Sequence, residues 1–409
     1  MQGLVGYAGL IVLAYGLSEN RQEIPWRSVF GGLVLQVALA LILLGLPAVQ
    51  AAFLLLNQGV EALQRATDAG TGFVFGYLGG ASLPFAEIRP GSAFILAFRA
   101  LPLVLTLSAL SSLFFHWGVL QIVVMGFARL LRRGLGIGGA LGFGAAVHVF
   151  VGMIEAPLLI RPYLARLSRG ELFALMSCGM AGIAGTMMVL YAGILGPVIP
   201  DALGNILSAS LISTPAALAV AALMVPFVPG QEDLSQVNLK SANSMDALVK
   251  GTQDGIALLV NIVAMLLVLV TIVSLINIGL AALPDLMGKP ITLQRIAGGV
   301  FTPLMWAIGI PWAEASTAGL LMGSKTVLNE FVAYLELAAL PEGVLSPRSR
   351  LMLTYALCGF ANFASVGIMI GGMGAMLPDR RPELVQLGMK SILSGTIATC
   401  LSAALVGML

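Results

Sequence analysis

Two glutamates, Glu155 and Glu314, stand inside long apolar stretches, each beside residues that interrupt a helix. Glu155 lies in Gly152-Met153-Ile154-Glu155-Ala156-Pro157, and Glu314 follows Gly309-Ile310-Pro311-Trp312-Ala313. A carboxylate at bilayer depth costs about 2.5–3.5 kcal/mol on insertion scales, so such a group faces a cavity and is read by default as functional. Interrupted helices at that depth are tolerated where they pack in protein or line water. Two such features in one chain predict a transport site.

The rest of the chain must supply a membrane-embedded frame. Of its 409 residues, 58% are hydrophobic and 10% charged, with a mean hydropathy of +0.98. A soluble domain carries about 25% charged residues, so the composition predicts an all-α polytopic membrane protein. A net charge of +2 without a basic cluster gives no case for nucleic acid. Cys178, Cys358 and Cys400 all lie in apolar segments, and the two histidines, His116 and His148, do not combine with them into a metal motif. No metal or cofactor is therefore expected. The first apolar run, Leu4–Tyr15, reads as a membrane helix, because it lacks a basic flank and a cleavage site.

Apolar windows place eight spanning helices near 3–17, 28–47, 93–115, 172–196, 203–228, 254–284, 348–376 and 386–408, the third running on towards Arg129. Residues 48–90 read as an interfacial helix and surface loop. Residues 135–168 and 291–326, apolar but broken near their centres, read as re-entrant hairpins. The expected organisation is 1–134 as N-terminal scaffold helices with the interfacial segment, 135–228 as the first hairpin and repeat copy, and 229–253 as a cytoplasmic loop. A scaffold helix at 254–290 precedes the second hairpin and copy at 291–409. Arg21, Arg27, Arg129, Arg132, Arg133, Arg161, Arg166, Arg169, Lys240, Lys250, Arg380, Arg381 and Lys390 fall on one side if both termini are outside; Arg348 and Arg350 are then exceptions. The repeat rests on Cys178-Gly-Met-Ala-Gly-Ile-Ala-Gly185 against Cys358-Gly-Phe-Ala-Asn-Phe-Ala-Ser365. Glu155 precedes the first cysteine by 23 residues and Glu314 the second by 44, which puts 21 extra residues in the second copy. Inverted repeats with interrupted helices meeting at the midplane are the architecture of secondary transporters.

The strongest local motif is Gly323-Ser-Lys325-Thr-Val-Leu-Asn329-Glu330-Phe-Val-Ala-Tyr334. With Ile24-Pro-Trp-Arg27, Gly72-Phe-Val-Phe-Gly76, Glu155-Ala-Pro-Leu-Leu-Ile-Arg-Pro-Tyr163, Pro311-Trp-Ala-Glu-Ala315 and Ala356-Leu-Cys-Gly-Phe-Ala-Asn362, it resembles the concentrative nucleoside transporter family over nearly the whole chain. The resemblance implies a homotrimer of eight-helix protomers with two re-entrant hairpins in the bacterial inner membrane. It implies cation-coupled nucleoside uptake by an elevator-like motion. It further implies that Glu314, Asn362 and Ser365 bond the ribose, that Phe360 and Met187 pack near the substrate, and that Gly152, Met153, Ile154 and Glu155 form the facing tip. Lys325, Asn329 and Glu330 are read as structural, satisfying free backbone groups where the second hairpin ends. Plain packing or interhelical bonding remains the alternative for Phe360, Asn362 and Ser365.

Two departures from the family pattern matter. The tip usually carries Gln and Thr or Ser, which bond the base; Met153 and Ile154 cannot replace them. Looser base selectivity is expected. In sodium-coupled members an Asn before the tip and a Ser in the next helix help to cage the ion, and here those positions hold His148 and Gly182. Imidazole is a poor ligand for a hard cation, whereas histidine titrates in the physiological range. The candidate cation or proton site is therefore His148 with Val151 and Ile183, and coupling to H⁺ or none at all is favoured over Na⁺. An intramembrane enzyme is disfavoured, because no Asp-rich motif or paired nucleophile and base is present. A non-transporting nucleoside sensor is the remaining alternative.

Overall fold

The computed structural model describes residues 2–86, 93–228, 230, 242–285, 288 and 290–409. Lys240 and most of the polar connection at 229–250 lie outside the described residues. Among those described, every regular element is helical. The chain opens with α1 (Gln2–Gly16), α2 (Trp26–Gly45) and the amphipathic α3 (Pro47–Phe75). Next come the single turn α4 (Leu96–Arg99), α5 (Leu103–His116) and α6 (Val119–Leu135). The segments α7 (Gly139–His148), α8 (Glu155–Leu159) and α9 (Arg161–Leu164) surround a non-helical tip. Then follow α10 (Arg169–Ala181), α11 (Gly185–Leu195) and α12 (Ala202–Met224). The second half runs through α13 (Ser244–Leu280), α14 (Leu293–Ala307), α15 (Trp312–Val327), α16 (Glu330–Ala339), α17 (Pro347–Leu357), α18 (Phe363–Met376) and α19 (Arg381–Val406).

Among the described residues, six helical stretches are long and apolar enough to cross a bilayer, at Trp26–Gly45, Leu96–His116, Arg169–Leu195, Ala202–Met224, Ser244–Leu280 and Pro378–Val406. Two shorter apolar helices, Gln2–Gly16 and Phe363–Met376, are also present. The spans expected at 172–196 and 348–376 are not continuous, the helix being interrupted at 182–184 and 358–362. The third span does not run on to Arg129. It stops at His116, and Gly118 turns the chain at φ +80, a left-handed conformation open to glycine without a Cβ penalty. The amphipathic α6 then starts afresh, with Leu131 and Leu135 buried and Ile122 exposed.

The helix order from α5 to α12 recurs from α13 to α19, with α8 and α9 together matching α16. This corrects the alignment of the two halves. Glu155 opens the helix after the first tip, and its counterpart is Glu330, which opens α16, rather than Glu314. Glu330 precedes Cys358 by 28 residues, against 23 in the first half, so most of the supposed insertion disappears. The segment 291–326 does fold into a helical hairpin, with Gly323 against Gln294 and Gly319 against Thr302. That hairpin corresponds to α6–α7, however, and the counterpart of the first tip lies between α15 and α16.

The two copies are inverted. Leu167 and Met180 meet Arg380 and Gly395, so α10 runs parallel to α19. Arg348 meets Gly407 and Gly359 meets Thr399, so α17 runs antiparallel to α19. Equivalent helices α10 and α17 therefore point in opposite directions.

Charge sorts to the ends. Glu19 is bonded by Arg169 and Lys390, and Arg380 pairs with Glu383. Burial alone would raise the Glu19 pKa, but its bonds to Arg169 and Lys390 hold it below the ordinary value. Folding stability from this group is present above its unfolded value near 4.5 and is lost as pH falls through its depressed folded value. Glu19→Gln should lower the melting temperature slightly at neutral pH and low salt, and the difference should shrink as pH falls below 4.5 or in 1 M salt. A difference that does not shrink on acidification would contradict the ion-pair account. About 25 Å along α19 from Lys390, Arg348 donates to the Gly309 and Gly407 carbonyls. Arg350 donates to those of Leu340 and Pro341. Both exceptions to the charge rule are thus spent on carbonyls at helix ends.

Candidate functional site

Four non-helical segments meet in the core: the tips at 149–154 and 328–329, and the breaks at 182–184 and 358–362. The Gly185 amide donates to the Phe150 carbonyl at 3.1 Å, tying the first tip to the first break. Where the breaks cross, the Phe360 amide donates to the Gly182 carbonyl at 3.2 Å. In the second half Asn362 Nδ2 donates to Glu330 Oε2 at 2.9 Å, tying tip to break. The crossing is close enough that a Cβ on Gly359 would stand 2.7 Å from the Met180 carbonyl oxygen.

Local sequence explains the break between α17 and α18. Lys325, fully buried, donates to the Ala356 carbonyl at 2.8 Å, placing an ammonium at the carbonyl end of α17, as the helix dipole favours. Asn362 restarts the helix as its N-cap, its Oδ1 accepting the Ser365 amide at 2.8 Å. Asn362 and Ser365 are thus linked by a cap. Phe360 lies in the non-helical segment and is only 9% exposed. On the second tip Asn329 caps α16 by accepting the Val332 amide at 3.0 Å.

Glu330 is the focus of this region. It is 4% exposed, and its Oε1 accepts from the Tyr191 hydroxyl at 2.6 Å while Oε2 accepts from Asn362. A carboxylate held by two fixed donors keeps a lone pair on each oxygen for a further donor. Assigned a structural role from sequence, it is bonded to the asparagine expected to bind ligand. Sequence reasoning did not single out Tyr191. The available signal was a tyrosine within an apolar helix, which needs a partner for its hydroxyl when buried.

The expected role of Glu314 does not fit its position. Its Oε2 accepts from the backbone amide and hydroxyl of Ser346 at 3.2 and 3.1 Å. Ser346 is the N-cap of α17, whereas Asn362 lies beyond the other end of that helix. The intervening 11 residues span about 16 Å. Glu314 and Asn362 are therefore not brought together, and one small ligand cannot bridge them at hydrogen-bond distance.

On the first tip, Glu155 is exposed, and its carboxylate turns back over Gly152, where any Cβ would overlap its Oε2. Met153 is buried close to Gly179, which His148 also approaches, and Ile154 lies against Gly372 of α18. His148 is buried, and its Nε2 has no hydrogen-bond partner among the described residues. Val151 and Ile183 lie on the two segments joined by the Phe150–Gly185 bond, and Met187 is buried two residues further on. No group of three or more metal-binding side chains occurs among the described residues.

Comparison with known proteins places this arrangement. Family models for the N-terminus and C-terminus of Na⁺-dependent nucleoside transporters match residues 5–78 and 205–407, and a nucleoside recognition (gate) model matches 97–198. The Escherichia coli protein described as putative nucleoside permease NupX is 32% identical, covering 100% of this chain and 98% of its own. Nucleoside permease NupC of Helicobacter pylori is also 32% identical, covering 99% and 96%. The chain belongs to the concentrative nucleoside transporter family. An uncharacterized transporter of Haemophilus influenzae is 37% identical over 100% of this chain and 97% of its own. A solved concentrative nucleoside transporter, CNTnw in an inward-facing substrate-bound state, superposes with a TM-score of 0.90 at 34% identity, covering 100% of this chain and 97% of that one. Membership makes the chain a helical membrane transporter of the nucleoside class and not an enzyme.

Proposed function

We propose that this transporter imports nucleosides across the bacterial inner membrane, the ribose anchored where the two breaks cross. The observation that carries this reading is the buried Glu330 carboxylate, bonded to Asn362 beside the crossing of Gly182 and Phe360. Ribose offers hydroxyl donors, and bonds from them to a carboxylate strengthen in a water-poor site. Ser365 lies at the start of the helix that Asn362 caps, and Glu155 on the exposed tip is the second acidic group proposed for the site. Met153 and Ile154 add no donor or acceptor for a base, so purine and pyrimidine nucleosides compete with little preference. Both termini are assigned to the outside, from the Lys and Arg distribution.

The two tips and their breaks form the proposed moving unit of an elevator-type carrier with re-entrant hairpins. The long α13 packs on α5, as at Gly251 against Ser108, and exposes Val260, Leu267 and Leu275. That apolar face is assigned to lipid and to neighbouring protomers of a homotrimer.

For coupling, His148 stands where sodium-coupled members carry an oxygen ligand, and its Nε2 is a buried nitrogen without a partner among the described residues. Such atoms in a core call for an explanation, and a proton-exchanging role supplies one. In proteoliposomes an inward H⁺ gradient should accelerate uptake while a Na⁺ gradient leaves it unchanged. A steep Na⁺ dependence would overturn the coupling assignment. Nucleoside binding without uptake under any gradient would favour a sensor instead.

A further inference from the structure

We propose that Tyr191 is the positioning residue that fixes the direction of the Glu330 carboxylate and so lets this site tell ribose from its deoxy forms; this rests on the ribose reading above. The Tyr191 side chain is fully buried, and its hydroxyl donates to Glu330 Oε1 at 2.6 Å. The ring is packed beside Tyr334 and Phe331, with centroids 5.0 and 6.0 Å away. Tyr334 is itself pinned, its hydroxyl donating to the Thr354 carbonyl at 2.9 Å. The phenol therefore has one direction in which to donate.

The last torsion of a glutamate is broad and roughly two-fold, so an unrestrained carboxylate samples many orientations of its lone pairs. Here each oxygen has its own fixed donor, Tyr191 on Oε1 and Asn362 on Oε2, and the carboxylate plane is set. One acceptor site per oxygen remains in a defined direction. Two neighbouring hydroxyls of a ribose match two neighbouring acceptors, whereas a deoxyribose leaves one unmet. Tyr191 belongs to α11 in the first half, while Glu330 and Asn362 belong to the second. Selectivity for the sugar thus depends on a contact between the halves, made by a residue that does not touch the ligand.

The test compares uptake of adenosine, 2′-deoxyadenosine and 3′-deoxyadenosine by wild type and Tyr191→Phe, which keeps the packed ring and removes only the donor. In wild type, loss of one hydroxyl should raise KM about ten-fold or more. In Tyr191→Phe that ratio should fall to about three-fold or less in protein that remains folded, its melting temperature lowered by the loss of one bond to a buried carboxylate. Should the Phe variant fail to fold, Tyr191→Met carries the same expectation, because a flexible thioether fills the ring space without donating. An unchanged ratio in a folded variant overturns the role of Tyr191 while leaving the ribose anchor standing. A wild type that transports all three alike overturns the ribose anchor and this proposal with it.

Discussion

Glu330→Gln should weaken nucleoside binding by about 30-fold or more, whereas Glu314→Gln should change it by less than about three-fold. The contrast follows from what each carboxylate touches. Glu330 faces Asn362 and Tyr191 in the core. Glutamine there keeps the volume and one acceptor but loses the charge that strengthens a bond from a sugar hydroxyl. Glu314 is committed to Ser346 at the far end of α17, so its loss should appear in thermal stability instead. Isothermal titration on the two purified variants measures both effects. A reversed ranking, with Glu314→Gln losing the ligand, would restore the alignment drawn from sequence.

Gly359→Ala should destabilise the fold by about 1–3 kcal/mol, the usual range for overpacking, and should cut uptake by the folded fraction at least ten-fold. A Cβ at 359 meets the Met180 carbonyl oxygen at 2.7 Å and Thr399 Cγ2 at 3.0 Å, and the backbone contact cannot give way by a rotamer change. Moving Gly359 also moves its neighbour Phe360 off the Gly182 carbonyl. Gly182 supplies the control on stability. Its φ of −124 suits any residue, and a Cβ there comes no nearer than 3.7 Å to the Cys178 carbonyl. Gly182→Ala should therefore melt within about a degree or two of wild type. Equal melting of the two variants would refute the close crossing.

The frame of this molecule was legible because burying helices in lipid demands long apolar runs, and those runs are plain in the sequence. The two breaks were not, since 172–196 and 348–376 read as unbroken apolar spans; the paired octapeptides beginning at Cys178 and Cys358 marked the repeat without showing that the helix stops inside each copy. The misplaced element was the second tip. Glu314 follows a Gly and Pro interruption and precedes an alanine, as a tip carboxylate would. The structure shows what that carboxylate does. Glu171 Oε2 accepts the backbone amide and hydroxyl of Ser168 to cap α10, and Glu314 Oε2 accepts the same two groups of Ser346 to cap α17. Ser349 stands where a capping box would place its own acid, so the second half borrows one from α15. No local pattern reveals a cap supplied from 32 residues away. Tyr191 was hidden for a related reason, because its partner comes from the other half of the chain. Arg348 and Arg350 departed from the charge distribution because helix-end carbonyls hold them.

The most direct test is an experimental structure of the wild-type protein with a bound nucleoside. Sugar hydroxyls within hydrogen-bond distance of Glu330 and Asn362, beside the crossing of Gly182 and Phe360, are the predicted result. A sugar seated against Glu314 and Ser346, or a ligand held by its base alone with Glu330 still closed on Tyr191 and Asn362, would contradict it.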